Sequence, residues 1–156
     1  MAFQQLIRTQ IVPATVDEVW DFICSPSNLK KITPAHMAFE MLNSGSGQKM
    51  YPGMIIRYRV RPLLGIPLTW VSEITQVVEK RMFIDEQRVG PYAMWHHQHL
   101  IEPVEQGVLM TDIVSYKPPL GILGTLANTL FIKKQLERIF SYRQRKLAEL
   151  FPGDSP

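Results

Sequence analysis

The chain of 156 residues is 46% hydrophobic with a net charge of +3, enough apolar material for one cored domain without staples. Its single cysteine, Cys24, excludes an intrachain disulfide framework and fits a reducing compartment. The basic residues are few and scattered and form no nucleic-acid-binding module, which argues against DNA or RNA as a partner.

The opening MAFQQLIRTQIV has no charged leader ahead of a long apolar run, so no signal peptide is expected and a cytoplasmic protein is. Leu6, Ile7, Ile11 and Val12 mark a first strand over residues 3–12, ended by Pro13. Thr15 with Glu18 three residues later has capping-box spacing, and Val16, Val19, Trp20 and Ile23 supply the apolar side of a short helix. Cys24 reads as a small buried side chain rather than a nucleophile. A second short helical segment opens at Ser25 or Ser27 and closes at Pro34.

A second strand is expected over residues 36–42, followed by a Ser/Gly loop and a turn at Tyr51, Pro52 and Gly53. Residues 54–61 alternate cleanly, with Ile56, Tyr58 and Val60 on one side and Arg57, Arg59 and Arg61 on the other, so one face is wet. Strands over 68–78, 82–89, 93–102 and 108–116 follow, the fourth of the seven long enough to bend and the last two joined by a hairpin around Glu105 and Gln106.

The last third reads as a helix over residues 121–150, its apolar stripe carried by Leu126, Leu130, Leu136, Ile139, Phe140, Leu147 and Leu150. Arg143, Arg145 and Lys146 read as cations suited to the helix C-terminus. The segment 119–131 is apolar nearly all round and bends at Gly121 and Gly124; it is too short and interrupted to cross a bilayer, and a lid at a cavity mouth is expected. Residues 152–156 are expected to form a disordered tail.

This order, with the segments GPYAMWHHQH and YKPPLGILG, resembles the START-like, Bet v 1-type helix-grip superfamily, also called SRPBCC, and within it a small bacterial cell-division-inhibitor-like branch. The resemblance spans residues 1–151. It implies an α+β fold: a seven-stranded curved antiparallel sheet, with two short helices after strand 1, wrapped around a long C-terminal helix. It further implies a cavity for a hydrophobic small molecule such as a lipid, polyketide or aromatic compound. It carries no shared catalytic motif and no cofactor, because the fold hosts carriers, receptors and enzymes alike.

The unusual feature is the sixth strand, where Trp95, His97, His99 and Ile101 share one face. A tight turn after it sets Tyr116 opposite Trp95, Val114 opposite His97 and Asp112 opposite His99; the preceding loop sets Asp85 opposite His97 and Gln87 opposite Trp95. Two histidines and two aspartates then share a patch. It serves as a hydrogen-bonded network in the cavity wall, as an acid–base pair of cyclase or hydratase type, or as part of a metal site. The first use is favoured, and no metal is assigned. Glu73 and Glu86 read as solvated outer-face carboxylates.

Ile56, Tyr58, Val60, Trp70, Trp95, Tyr116, Leu123, Leu126, Ala127 and Leu130 are the expected cavity lining. The expected activity is binding or transport of a hydrophobic ligand. The alternatives are an enzyme using His97 or His99 with Asp85 or Asp112, and an interaction module that docks a protein or membrane surface through 119–131. A homodimer through a sheet edge or the Arg-rich face is left open.

Overall fold

In a strand successive side chains alternate between faces, and seven segments of this chain use that alternation to build one sheet. A computed structural model describes residues 4–43, 47–63, 65–118 and 125–153, and the side chains of all of these except 62, 63 and 125–129. The strands are β1 (Gln4–Val12), β2 (Glu40–Met41), β3 (Ile55–Leu63), β4 (Ile66–Val78), β5 (Met82–Val89), β6 (Met94–Val104) and β7 (Gly107–Lys117). They form a curved antiparallel sheet of order β1-β7-β6-β5-β4-β3-β2. Helix α1 (Val16–Ile23) and two short 3-10 segments, Pro26–Ile32 and Ala35–Met37, follow β1, and helix α2 (Thr125–Leu150) closes the chain. This is the helix-grip arrangement.

The capping box predicted at Thr15 is present: the Glu18 backbone N–H donates to Thr15 Oγ1, and the Thr15 backbone N–H donates to Glu18 Oε2 at 2.8 Å. It starts α1 at the register that buries Val19, Trp20 and Ile23. The second strand departs from expectation. Pro34 and Ala35 accept the N–H groups of Met37 and Ala38, closing a 3-10 turn, and Ala38 adopts a left-handed φ of 44°. That conformation breaks an extended chain, so His36 lies outside the sheet and only Glu40 and Met41 pair with β3.

Two apolar clusters meet on the inner face. One gathers Trp20, Ile23, Phe83, Ile101 and Leu147; the other gathers Val60, Trp70, Trp95, Leu136 and Phe140. Helix α2 is tied to edge strand β1 by two side-chain bonds, from Gln10 Nε2 to the Gln144 carbonyl at 2.8 Å and from Gln144 Nε2 to the Thr9 carbonyl at 3.0 Å. On the outer face Arg57, Arg59 and Arg61 are exposed, Arg88 forms ion pairs with Glu73 and Glu86, and His96 Nδ1 lies 2.9 Å from Glu86 Oε1. Among the described residues no helix is long and apolar enough to cross a membrane.

Candidate functional site

Strand β6 carries the site because its alternation sends Trp95, His97, His99 and Ile101 inward. The β6–β7 ladder pairs Trp95 with Tyr116, His97 with Val114 and His99 with Asp112, and the β5–β6 ladder pairs Asp85 with His97. These four pairings follow the expected register. The fifth does not form, since the β5–β6 ladder ends at Glu86 and His96. Gln87 instead holds the loop before β6: its Nε2 donates to the Tyr92 carbonyl at 2.7 Å, and the Tyr92 N–H donates to its Oε1 at 3.2 Å. This clamp presents the Tyr92 ring to Trp70 and Trp95.

The two histidines and two aspartates form a closed quartet. His97 Nε2 donates to Asp112 Oδ1 at 2.8 Å, and His99 Nε2 donates to Asp85 Oδ2 at 2.7 Å. The remaining ring nitrogens complete the square: His99 Nδ1 is 3.2 Å from Asp112 Oδ1, and His97 Nδ1 is 3.5 Å from Asp85 Oδ2. Both imidazoles are buried, and their rings are held from either side by Phe140 against His97 and by Phe83 stacked 4.0 Å from His99.

Electrostatics divides the labour between them. Burial, with the charge of neighbouring His99, lowers the His97 pKa. Burial would do the same to His99, but hydrogen bonds to Asp112 and Asp85 outweigh it and raise that pKa. Burial opposes ionisation of Asp85 and Asp112 as well, yet bonds from the imidazoles hold both carboxyls below their ordinary range, Asp112 far below it. The shifts run in opposite directions, His97 toward the neutral imidazole and His99 toward the imidazolium, beside two carboxyls held toward their ionised form.

Asp85, His97 and His99 line one end of a cavity of about 120 Å³ between the sheet and α2. Tyr58 and Trp70 are stacked at 5.9 Å, Trp95 stands edge-on to Trp70 at 5.3 Å, and Phe39 leans on Tyr58 at 5.0 Å. Ser72 Oγ accepts from the Trp70 indole at 3.1 Å and lies 3.3 Å from Tyr58 Oη. Burial and the Asp85 charge push the Tyr58 phenol upward, so it stays protonated.

Of the expected lining, Ile56, Tyr58, Val60, Trp70 and Trp95 face the cavity, as do Asp85, His97 and His99. Asp112 lies behind the quartet on a smaller pocket shared with His99. Tyr116 is buried in the adjacent core and donates to Gln4 Oε1 at 3.1 Å, so it supports the wall without lining it. Leu130 is 67% exposed: the turn of the helix sets it away from the side that carries Ile132 and Leu136. Leu123, and the side chains of Leu126 and Ala127, lie outside the described residues, as does the bend at Gly121 and Gly124.

One site residue was missed. Arg143 faces the cavity from α2, its guanidinium 4.9 Å from the Phe140 ring centre. The helix runs to Leu150, two turns beyond Arg143, and the dipole acts only within the last turn, so that account of Arg143 fails. The signal lay in the stripe itself: Leu136, Phe140, Arg143 and Leu147 follow at steps of four, three and four.

Asp85, His97 and His99 each bring a ligand atom within 4.8 Å of the others, the start of a site for a divalent ion. Those same atoms are engaged in the quartet's hydrogen bonds, so the set holds protons in this arrangement.

No protein-family model and no curated protein matches the chain. Solved structures of similar fold do. A Chromobacterium violaceum protein aligns at 12% identity over 96% of this chain and 99% of its own, with a TM-score of 0.73. The KanY protein aligns at 15% identity over 98% and 100%, with a TM-score of 0.72. The major latex-like protein 151 of Panax ginseng aligns at 12% identity over 97% and 99%, with a TM-score of 0.69. At these identities the likeness is one of fold.

Proposed function

We propose that this helix-grip protein binds a hydrophobic small molecule in the cavity between its sheet and α2, as a carrier or receptor. One observation carries the reading: four aromatic rings, Tyr58, Trp70, Tyr92 and Trp95, converge on an internal space next to a helix face of Leu136, Ile139 and Phe140. An apolar cavity of roughly 150 Å³ accepts a benzene-sized guest, so the present space suits a ligand that inserts about one ring. A helix-grip fold shared with latex-like and bacterial proteins is consistent with such a role.

The test is a titration with toluene followed through indole N–H resonances. Trp70 and Trp95 line the cavity, whereas Trp20 packs in the other core cluster. Saturable shifts of the first two, with Trp20 still, support the reading; Ile139→Trp, which plugs the space, abolishes them. Unshifted indoles at the solubility limit of toluene would sink it.

The quartet supports a second reading as an acid–base enzyme. A buried His–Asp pair facing a substrate-sized space has the parts for proton transfer to or from a bound carbonyl compound. His97→Ala and His99→Ala then lose turnover of the substrate while toluene still binds; a carrier keeps ligand affinity within a few-fold and has no turnover to lose.

A further inference from the structure

A permanently charged side chain has no ordinary place in the middle of a buried helix stripe. Arg143 occupies one, between Phe140 and Leu147, which are each 2% exposed. Its Nε is, among the described residues, the buried side-chain polar atom that makes no hydrogen bond. Leaving such a donor unpaired is unfavourable, and an acceptor brought by a bound molecule would relieve it.

The charge of Arg143 helps to lower the Asp85 pKa, but among the described residues neither buried acid forms a short ion pair with it. Asp85 and Asp112 are each engaged by both His97 and His99, at 2.7 to 3.5 Å. Arg143 borders both the main cavity and the smaller pocket behind it, so the guanidinium stands where the two meet. It stands 4.9 Å from the centre of the Phe140 ring, and its planar fork of donors matches the two oxygens of a carboxylate. Phe140 also packs against His97, so a ring bound among Tyr58, Trp70 and Phe140 brings a substituent toward the guanidinium.

Resting on the cavity reading above, we propose that the ligand is a small aromatic carboxylate, its ring held by the aromatic wall and its carboxylate paired with Arg143. The guanidinium is the specificity element and the aromatic wall supplies the apolar burial.

The experiment compares benzoate with benzamide, near-isosteres that differ in charge, at neutral pH on the same Trp70 and Trp95 indole resonances. Benzoate is expected to saturate the protein at about tenfold lower concentration or better, the gain of one charge-assisted pair. In Arg143→Met the ratio falls to about one while benzamide affinity is kept, and Arg143→Lys keeps part of the preference. Equal binding of benzoate and benzamide by the unmodified protein, or an unchanged ratio in Arg143→Met, overturns the proposal. Should toluene and benzamide bind and benzoate not, only the carboxylate assignment falls; should none of the three bind, the cavity reading falls with it.

Discussion

The imidazoles of His97 and His99 lie with ring centres 3.7 Å apart, and each of them faces both Asp85 and Asp112. Alternate residues of one strand share a face, so this closeness is a direct product of the β6 pleat. Two cations could not sit so near one another without strong repulsion. The opposite shifts of their pKa values, His97 down and His99 up, work against both carrying a proton at once.

Opening the quartet should therefore cost far more than breaking an ion pair outside. Asp112→Asn removes a buried negative charge that contacts both imidazoles, and a loss of about 3 kcal/mol is expected. Glu73→Gln, which removes one of the two outer-face partners of Arg88, is expected to cost under about 1 kcal/mol. Urea unfolding midpoints at neutral pH read both, and similar small losses would mean that the quartet is not holding charge.

The two histidines bend the stability profile in opposite directions. His97 has a lowered pKa, so it favours the fold above the unfolded value near pH 6.5, a contribution lost as pH falls through its folded value. His99 has a raised pKa, so its contribution is full below about pH 6.5 and is lost as pH rises through its folded value. Asp85 and Asp112, both lowered, add a further loss in strong acid. Maximum stability is expected near pH 6.5, and His99→Gln should flatten the alkaline limb. Denaturation midpoints across pH 4 to 9 check it; an alkaline limb unchanged in His99→Gln would contradict the assignment.

Phe140 packs against His97 and forms the helix side of the cavity. Phe140→Ala should lower stability by about 3 to 5 kcal/mol and enlarge the space. Naphthalene, too large for the present cavity, is expected to shift Trp70 and Trp95 in the variant, provided that a folded spectrum is retained at 15 °C. No gain in the accepted ligand size would place Phe140 outside the cavity wall.

Gly107 opens β7 with φ of +133°, and a Cβ there would meet the backbone of Val12 and Pro13, with Pro13 Cα at 2.9 Å. Gly107→Ala must move either the β6–β7 hairpin or the end of β1. A loss of about 2 kcal/mol is expected, or roughly 4 to 8 °C in thermal midpoint for a chain of this size. A midpoint within 1 °C of the parent would show that the hairpin can shift freely.

Much of this was legible in the chain. Alternation in β3 and β6 fixed which residues share a face, and the two-residue turn at Glu105 and Gln106 fixed the register that sets Asp112 against His99. Period and turn length are local properties, carried by neighbouring residues, so the sequence alone determined the strands and the histidine–aspartate patch, whereas which face turns inward was decided by where α2 packs. The left-handed Ala38, the Gln87–Tyr92 clamp and the outward aspect of Leu130 were decided by contacts between distant or flanking segments. The role of Arg143 was decided the same way. Its place in the stripe could be counted from the sequence, but an arginine at that spacing becomes a half-buried cation with a buried, unbonded Nε only when α2 is laid against a sheet whose acids are already bonded to the histidines.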